Sequence, residues 1–303
     1  MNHRLTLLIH PPGMPVSPLS RVLAEHPAIA WADSPHILTP LAYLGYYDKV
    51  YKAPYDHVLA AESQRLFVER LPGKEQDYIR ACRAYCDTLY ERAIGNSGKT
   101  VILDDSLEDP RVLLFAARIL PDASYILLVR HPLALFVDAE SRAKDYLKAV
   151  LGLVGNPQLR TLLVPWESLA ANPEQEVAPI IKFLGLPAPA ETGFGDRGSG
   201  LRLEGESSWA QALASDRGKI EAARKFIAQF TRNELALLGY PEEDVWKPLE
   251  ERADLRVTTD EFLRLRYRSR EKALRLLRRA AAKGPFRKAL KTAQLACDVF
   301  LRE

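Results

Sequence analysis

Four short apolar runs constrain this chain more than any other feature: LTLLI at 5–9, VIL at 101–103, YILLV at 125–129 and TLLV at 161–164. Each is bounded by polar or proline-containing segments and is too short for a helix, so each reads as a strand buried on both faces. The intervals carry helical patterns at 19–25, 41–47, 78–93 and 110–119, with another beginning near Leu133. Strand alternating with helix predicts parallel pairing through right-handed crossovers, hence an α/β fold with a parallel sheet flanked by helices. Such sheets bind ligands beyond the carboxyl ends of their strands. Here those ends are residues 10–17, 104–106, 130–132 and 165–167.

The first apolar run is only five residues long and is followed by Pro11 and Pro12, too short for a signal-peptide core or a membrane span. A cytoplasmic location is therefore expected. Cys82 and Cys86 lie one helical turn apart and Cys297 far away, which makes neither a disulfide framework nor a zinc set. Buried thiols are expected instead. Residues 191–208 are rich in glycine, serine and charge, and suit a closing loop or a plain linker equally. Beyond them, 219–238 has helical periodicity and stops at Gly239.

The net charge of +3 conceals an uneven distribution. Residues 251–303 hold 15 Lys+Arg against 7 Asp+Glu, whereas the remainder holds 27 against 32. This tail reads as two helices, 260–282 and 286–301, separated at Gly284 and Pro285. Its charge suits a solvated helix face first, and contact with an anionic membrane or an acidic partner second. We divide the chain into a domain over 1–245 and a basic helical C-terminal extension over 246–303. A nucleic-acid partner is not expected.

One motif is a decoy. AIGNSGKT at 93–100, followed by VILDD, imitates a nucleotide-binding P-loop. That loop needs a strand before it and a helix after it, so that backbone N–H groups and a helix N-terminus converge on phosphate. Here the order is reversed, and Gly95 and Gly98 are expected to form a turn.

Three other segments, taken in order, carry a resemblance. LPDASYILLVRHP at 120–132 is a strand ending in an arginine, and VPWESLAANPEQEVAPIIKFLGLP spans 164–187. The third is LTLLI at 5–9, leading through a loop to SRVLAEHPAI at 20–29, with LLGY at 237–240 as a late addition. Together they resemble the sulfotransferase superfamily that uses 3′-phosphoadenosine 5′-phosphosulfate (PAPS) as donor, over about residues 1–245. The resemblance implies a sulfotransferase-type parallel sheet. It also implies transfer of a sulfuryl group from PAPS to a hydroxyl or amine of a small-molecule or carbohydrate acceptor.

Carried over residue by residue, the resemblance gives Arg130 as the holder of the 3′-phosphate, with Ser141 or Arg142 assisting. Backbone N–H groups of Gly13, Met14, Val16 and Ser17 fall in the 5′-phosphosulfate loop, where the family reads R-S-G-T-T and this chain reads G-M-P-V-S. The arginine is lost there, and the prolines remove N–H donors. Ser17 remains as an N-cap candidate with Pro18 at the first helical position. Asp33 is the candidate base, with His36 in reserve, although a turn before Pro35 explains Asp33 and Ser34 equally well. Glu167 falls on the family's glutamate after the fourth strand, where a structural hydrogen-bonding role is expected.

Two departures add negative charge, and the first inverts its sign. Asp105 stands where the family has a lysine near the transferred group, and Asp138 stands where it has a serine at the 3′-phosphate. At about 4 Å and an effective dielectric of about 20, one such charge contact is worth about 4 kcal/mol. On that argument Asp105→Lys is expected to strengthen nucleotide binding. Asp33, Asp104, Asp105 and Asp138, with His10, His36 and His131, gather near one sheet edge, but they lack any compact metal motif and no metal ligand is assigned. The alternative reading is a sulfotransferase-fold protein that has lost PAPS binding. It would serve as a binding or assembly module, or use the cleft for a different chemistry.

Overall fold

The apolar runs supply four of the five strands of a wholly parallel sheet, whose order across the sheet is 29–31, 101–107, 4–9, 124–129 and 160–165. The computed structural model describes residues 4–12, 18–42, 57–95, 97–107, 109–187 and 207–250. The strands are β1 (Arg4–Ile9), β2 (Ile29–Trp31), β3 (Val101–Leu107), β4 (Ser124–Val129) and β5 (Arg160–Pro165). Every described side chain of β1 except Arg4, and every one of β4, is buried, as a parallel sheet covered on both faces requires. The four predicted strands are all present, extended by one to four residues. The three-residue edge strand β2, hidden behind His26-Pro27, was not foreseen.

Between the strands lie α1 (Pro18–Ala24), α2 (Thr39–Ala42), α3 (His57–Glu69), α4 (Glu75–Ile94), α5 (Pro110–Ile119) and α6 (Pro132–Val154). After β5 come α7 (Trp166–Ala171), α8 (Pro173–Phe183), α9 (Ser207–Ala214), α10 (Arg217–Ile227), α11 (Arg232–Leu237), α12 (Glu242–Val245) and α13 (Lys247–Glu250). The chain forms two units, Met1–Trp246 and Lys247–Glu303. The tail helices predicted at 260–282 and 286–301 lie outside the described residues, as does Cys297.

Alternation along each strand assigns the layers. Leu8, Val101, Leu103, Ile126 and Leu128 face a core shared with Leu19 and Leu23 of α1 and Ile180 and Ile181 of α8. On the α6 side, the buried Tyr146 hydroxyl donates to the Leu128 carbonyl at 2.6 Å, tying α6 to β4. The segments behind the resemblance also touch: His26 Nε2 lies 3.1 Å from the Pro187 carbonyl, while its Nδ1 accepts from the Ala28 N–H. Nδ1 is therefore unprotonated and Nε2 donates, which joins the end of α1 to the loop after α8.

The helix predicted over 219–238 is two helices. Residues 228–231 break it, and Thr231 starts α11 with a reciprocal capping box to Glu234. Glu234 also holds Lys148 of α6 at 2.7 Å, and the Lys148 ammonium lies 4.8 Å from the Phe230 ring. The break thus fits the chain to α6. The decoy motif behaves as its context requires: α4 ends before Gly95, β3 follows at Val101, and Gly95 and Gly98 adopt positive φ. Lys99, the lysine of the false motif, donates to the Ile29 carbonyl at 2.9 Å. Cys82 and Cys86 are free buried thiols, and burial pushes the Cys86 thiol up to about 12.

Candidate functional site at the carboxyl edge of the sheet

The carboxyl end of β3 is irregular. Leu7 pairs with Asp104 but Ile9 pairs with Leu107, so β3 carries an extra residue across Asp105 and Ser106. A bulge of this kind re-aims side chains at a sheet rim. Asp104 and Asp105 are both fully buried and take partners on different elements. The Asp104 carboxylate accepts from Tyr90 of α4 and from the Ser106 N–H and hydroxyl at 2.8 and 2.5 Å. The Asp105 carboxylate accepts from the Trp31 indole at 3.0 Å and from the Ser34 N–H and hydroxyl at 2.8 and 2.9 Å.

This corrects the expectation for Asp105. Its carboxylate is a fully buried anchor for the chain after β2, engaged by three donors, and is not an open negative charge in the cleft. The turn it holds is strained, for Asp33, Ser34 and His36 all have positive φ (47, 54 and 51°), a region that residues with a Cβ seldom enter. Asp33 and His36 are themselves exposed. The structure therefore holds both candidate bases on one fixed, solvent-facing turn.

At the end of β4 the backbone is clamped. Glu167, in the first turn of α7, accepts from the His131 N–H at 2.7 Å and from the Tyr240 hydroxyl, which also lies 3.3 Å from the Val129 carbonyl. Glu167 has the structural role expected of it. His131 caps α6, its Nδ1 accepting from the Leu133 N–H at 3.3 Å. The ring stacks on Trp209 at 4.8 Å and meets Tyr240 edge-on at 5.2 Å. Because Nδ1 accepts, Nε2 carries the proton, and it is buried without a hydrogen-bond partner among the described residues. Burial, with the Arg130 charge adding to it, holds the imidazole down to about 4, so the ring is neutral near pH 7.

This clamp fixes the backbone of Arg130, whose side chain is 18% exposed at the rim. Its guanidinium donates to the Asp138 carboxylate. Sequence reasoning set Arg130 and Asp138 at the same ligand group without joining them. A retained cation and a new carboxylate assigned to one spot were the signal that they would pair. Ser141 and Arg142, one turn further along α6, are exposed. Gly13, Met14, Val16 and Ser17 lie outside the described residues, although Pro18 does open α1. Trp209 was missed as a wall of this region because it belongs to no motif, and Tyr240 was noted only as the end of LLGY, with no role assigned.

Among the described residues no group of three or more His, Cys, Asp and Glu is arranged to hold a metal ion. The pairing of Arg130 with Asp138, and the separate engagement of Asp104 and Asp105, explain why the gathered acids do not converge.

The model of the sulfotransferase family matches residues 17–190, and the chain belongs to that family. The structure is similar to the sulfotransferase domain of the Synechococcus PCC 7002 olefin synthase, at 21% identity over 83% of this chain and 95% of that one, with a TM-score of 0.43. It is also similar to a sulfotransferase from Alicyclobacillus acidocaldarius, at 15% identity over 81% and 99%, TM-score 0.45. A third is the sulfotransferase domain from the curacin biosynthetic pathway, at 16% identity over 62% and 76%, TM-score 0.42. No curated protein matches the chain. No helix among the described residues is long and apolar enough to cross a membrane.

Proposed function

We propose that this chain is a sulfotransferase that moves a sulfuryl group from PAPS to a hydroxyl or amine of a small-molecule or carbohydrate acceptor. The observation that carries this reading is Arg130: in a member of this family, the arginine at the end of β4 is kept and its backbone is fixed by Glu167 through His131. Its guanidinium, which donates to Asp138, offers a phosphate two parallel N–H donors once that carboxylate gives way. Ser141 and Arg142 assist it, and backbone N–H groups at Gly13, Met14, Val16 and Ser17 take the 5′ side. Asp33, or His36, removes the acceptor proton as a sulfur–oxygen bond to a hydroxyl, or a sulfur–nitrogen bond to an amine, forms and the sulfur's bond to the bridging phosphate oxygen breaks, its electron pair staying on the phosphate. The 1–245 domain carries this chemistry, and the basic 246–303 extension is free to contact an anionic membrane or an acidic partner.

A second reading is a binding or assembly module on the same fold. The carboxylate of Asp138 on Arg130 favours it, because the one retained cation of the donor site is already engaged. Thermal unfolding with 3′-phosphoadenosine 5′-phosphate, the desulfated product nucleotide, separates the two. At a hundred times Kd a ligand adds about 2.7 kcal/mol, which raises the midpoint by about 2 °C or more in a chain of this size. No shift at millimolar nucleotide overturns the sulfotransferase reading and leaves the module.

A further inference from the structure

We propose that Asp138 sets the nucleotide selectivity of this site, weakening its preference for a 3′-phosphate over a free 3′-hydroxyl. The proposal rests on the reading of Arg130 as the seat for the 3′ end of the nucleotide. Asp138 Oδ2 accepts from Arg130 Nη1, with the arginine side chain 18% and the aspartate side chain 42% exposed, so the pair sits at the rim where a ligand reaches it. The pairing has a second cause in the backbone. Ala139, the next residue, has φ −143° and ψ 43°, which breaks α6 and makes Asp138 the last residue of its first two turns. A carboxylate at the C-terminal end of a helical segment faces the negative end of the peptide dipoles and needs a cation. Arg130 is that cation.

The chemistry of the pair then decides what it accepts. A phosphate dianion placed on Arg130 meets the Asp138 charge a few ångströms away and must displace it or bear the repulsion. A ribose hydroxyl does neither, since it donates to the carboxylate while accepting from a guanidinium N–H, and both charged partners stay satisfied. Ser141 and Arg142 lie beyond the break and are exposed.

The test uses the full chain and two probes, adenosine 3′,5′-bisphosphate and adenosine 5′-monophosphate, titrated calorimetrically into wild type, Asp138→Asn and Asp138→Ser. Asn keeps the shape and removes the charge; Ser removes both, and circular dichroism confirms that each variant is folded. The affinity ratio in favour of the bisphosphate is expected to rise at least tenfold in both variants, while monophosphate affinity changes by less than threefold. Adding Arg130→Gln to either variant is expected to abolish the gain. An unchanged ratio in a wild type that binds either nucleotide overturns the role of Asp138 and leaves the sulfotransferase reading standing. Failure of every form to bind either probe at millimolar concentration overturns both.

Discussion

The Asp105 carboxylate accepts the Trp31 indole N–H at 3.0 Å, joining the bulged end of β3 to the edge strand β2 beside it. The same carboxylate holds Ser34 by two further bonds, so one buried group sets the path of the turn that carries Asp33 and His36. Asp105→Lys removes three acceptor contacts and buries an ammonium among the donors left behind. A loss of about 3 kcal/mol or more is expected in denaturant unfolding, with no gain in nucleotide affinity. Asp105→Asn, which turns an N–H toward either the indole or Ser34, is expected to cost about 1–3 kcal/mol. A Lys variant as stable as wild type that binds nucleotide more tightly restores the view of Asp105 as an open charge.

His131 gives a pH dependence with a defined sign. Its imidazole titrates near 4 when folded and near the ordinary value of 6.5 when unfolded. Between these values the unfolded chain binds the extra proton. The contribution is therefore complete above about pH 6.5, falls as the pH drops toward 4, and changes no further below that. About 3 kcal/mol is at stake. In His131→Asn, which keeps an N-cap for α6 but does not titrate, this part of the decline between pH 6.5 and 4 is expected to disappear from urea unfolding curves. An identical decline in wild type and variant contradicts the assignment.

The clamp on β4 is separable by a double-mutant cycle. Glu167→Ala strands the His131 N–H and leaves the Tyr240 hydroxyl the longer bond to the Val129 carbonyl, and is expected to cost about 2–4 kcal/mol, whereas Glu167→Gln, which retains an acceptor for His131, is expected to cost about 1 kcal/mol. Tyr240→Phe combined with Glu167→Ala is expected to show a coupling of about 1 kcal/mol or more. Strict additivity of the two changes means that the Tyr240–Glu167 bond does not hold in solution.

How much of this was legible in the sequence depended on whether a signal was periodic. Leu5–Ile9 and Tyr125–Val129 announce themselves because a buried parallel strand is apolar throughout. Ile29–Trp31 does not, because an edge strand of three residues pairs on one side only and has no run to display. In 219–238 the periodicity hid a break that was written in the chain as T-R-N-E at 231–234, a capping-box spelling. The site was read by residue type alone. Arg130 and Glu167 fall just beyond the ends of β4 and β5, because they follow strands whose ends were visible. Asp105 was misjudged, because the apolar pattern of β3 stops at Leu103 while the strand runs on through Asp104, Asp105 and Ser106, whose polar groups are satisfied by Tyr90, Trp31 and Ser34. No pattern in one dimension names those partners.

The reading of the cleft turns on the Arg130 guanidinium. Calorimetric titration of 3′-phosphoadenosine 5′-phosphate into wild type and Arg130→Gln tests it most directly, with unfolding curves to establish that both are native. Saturable binding to wild type is predicted, weakened at least tenfold in the variant, or about 1.4 kcal/mol. Equal affinity in the two proteins, or no binding to either, contradicts it.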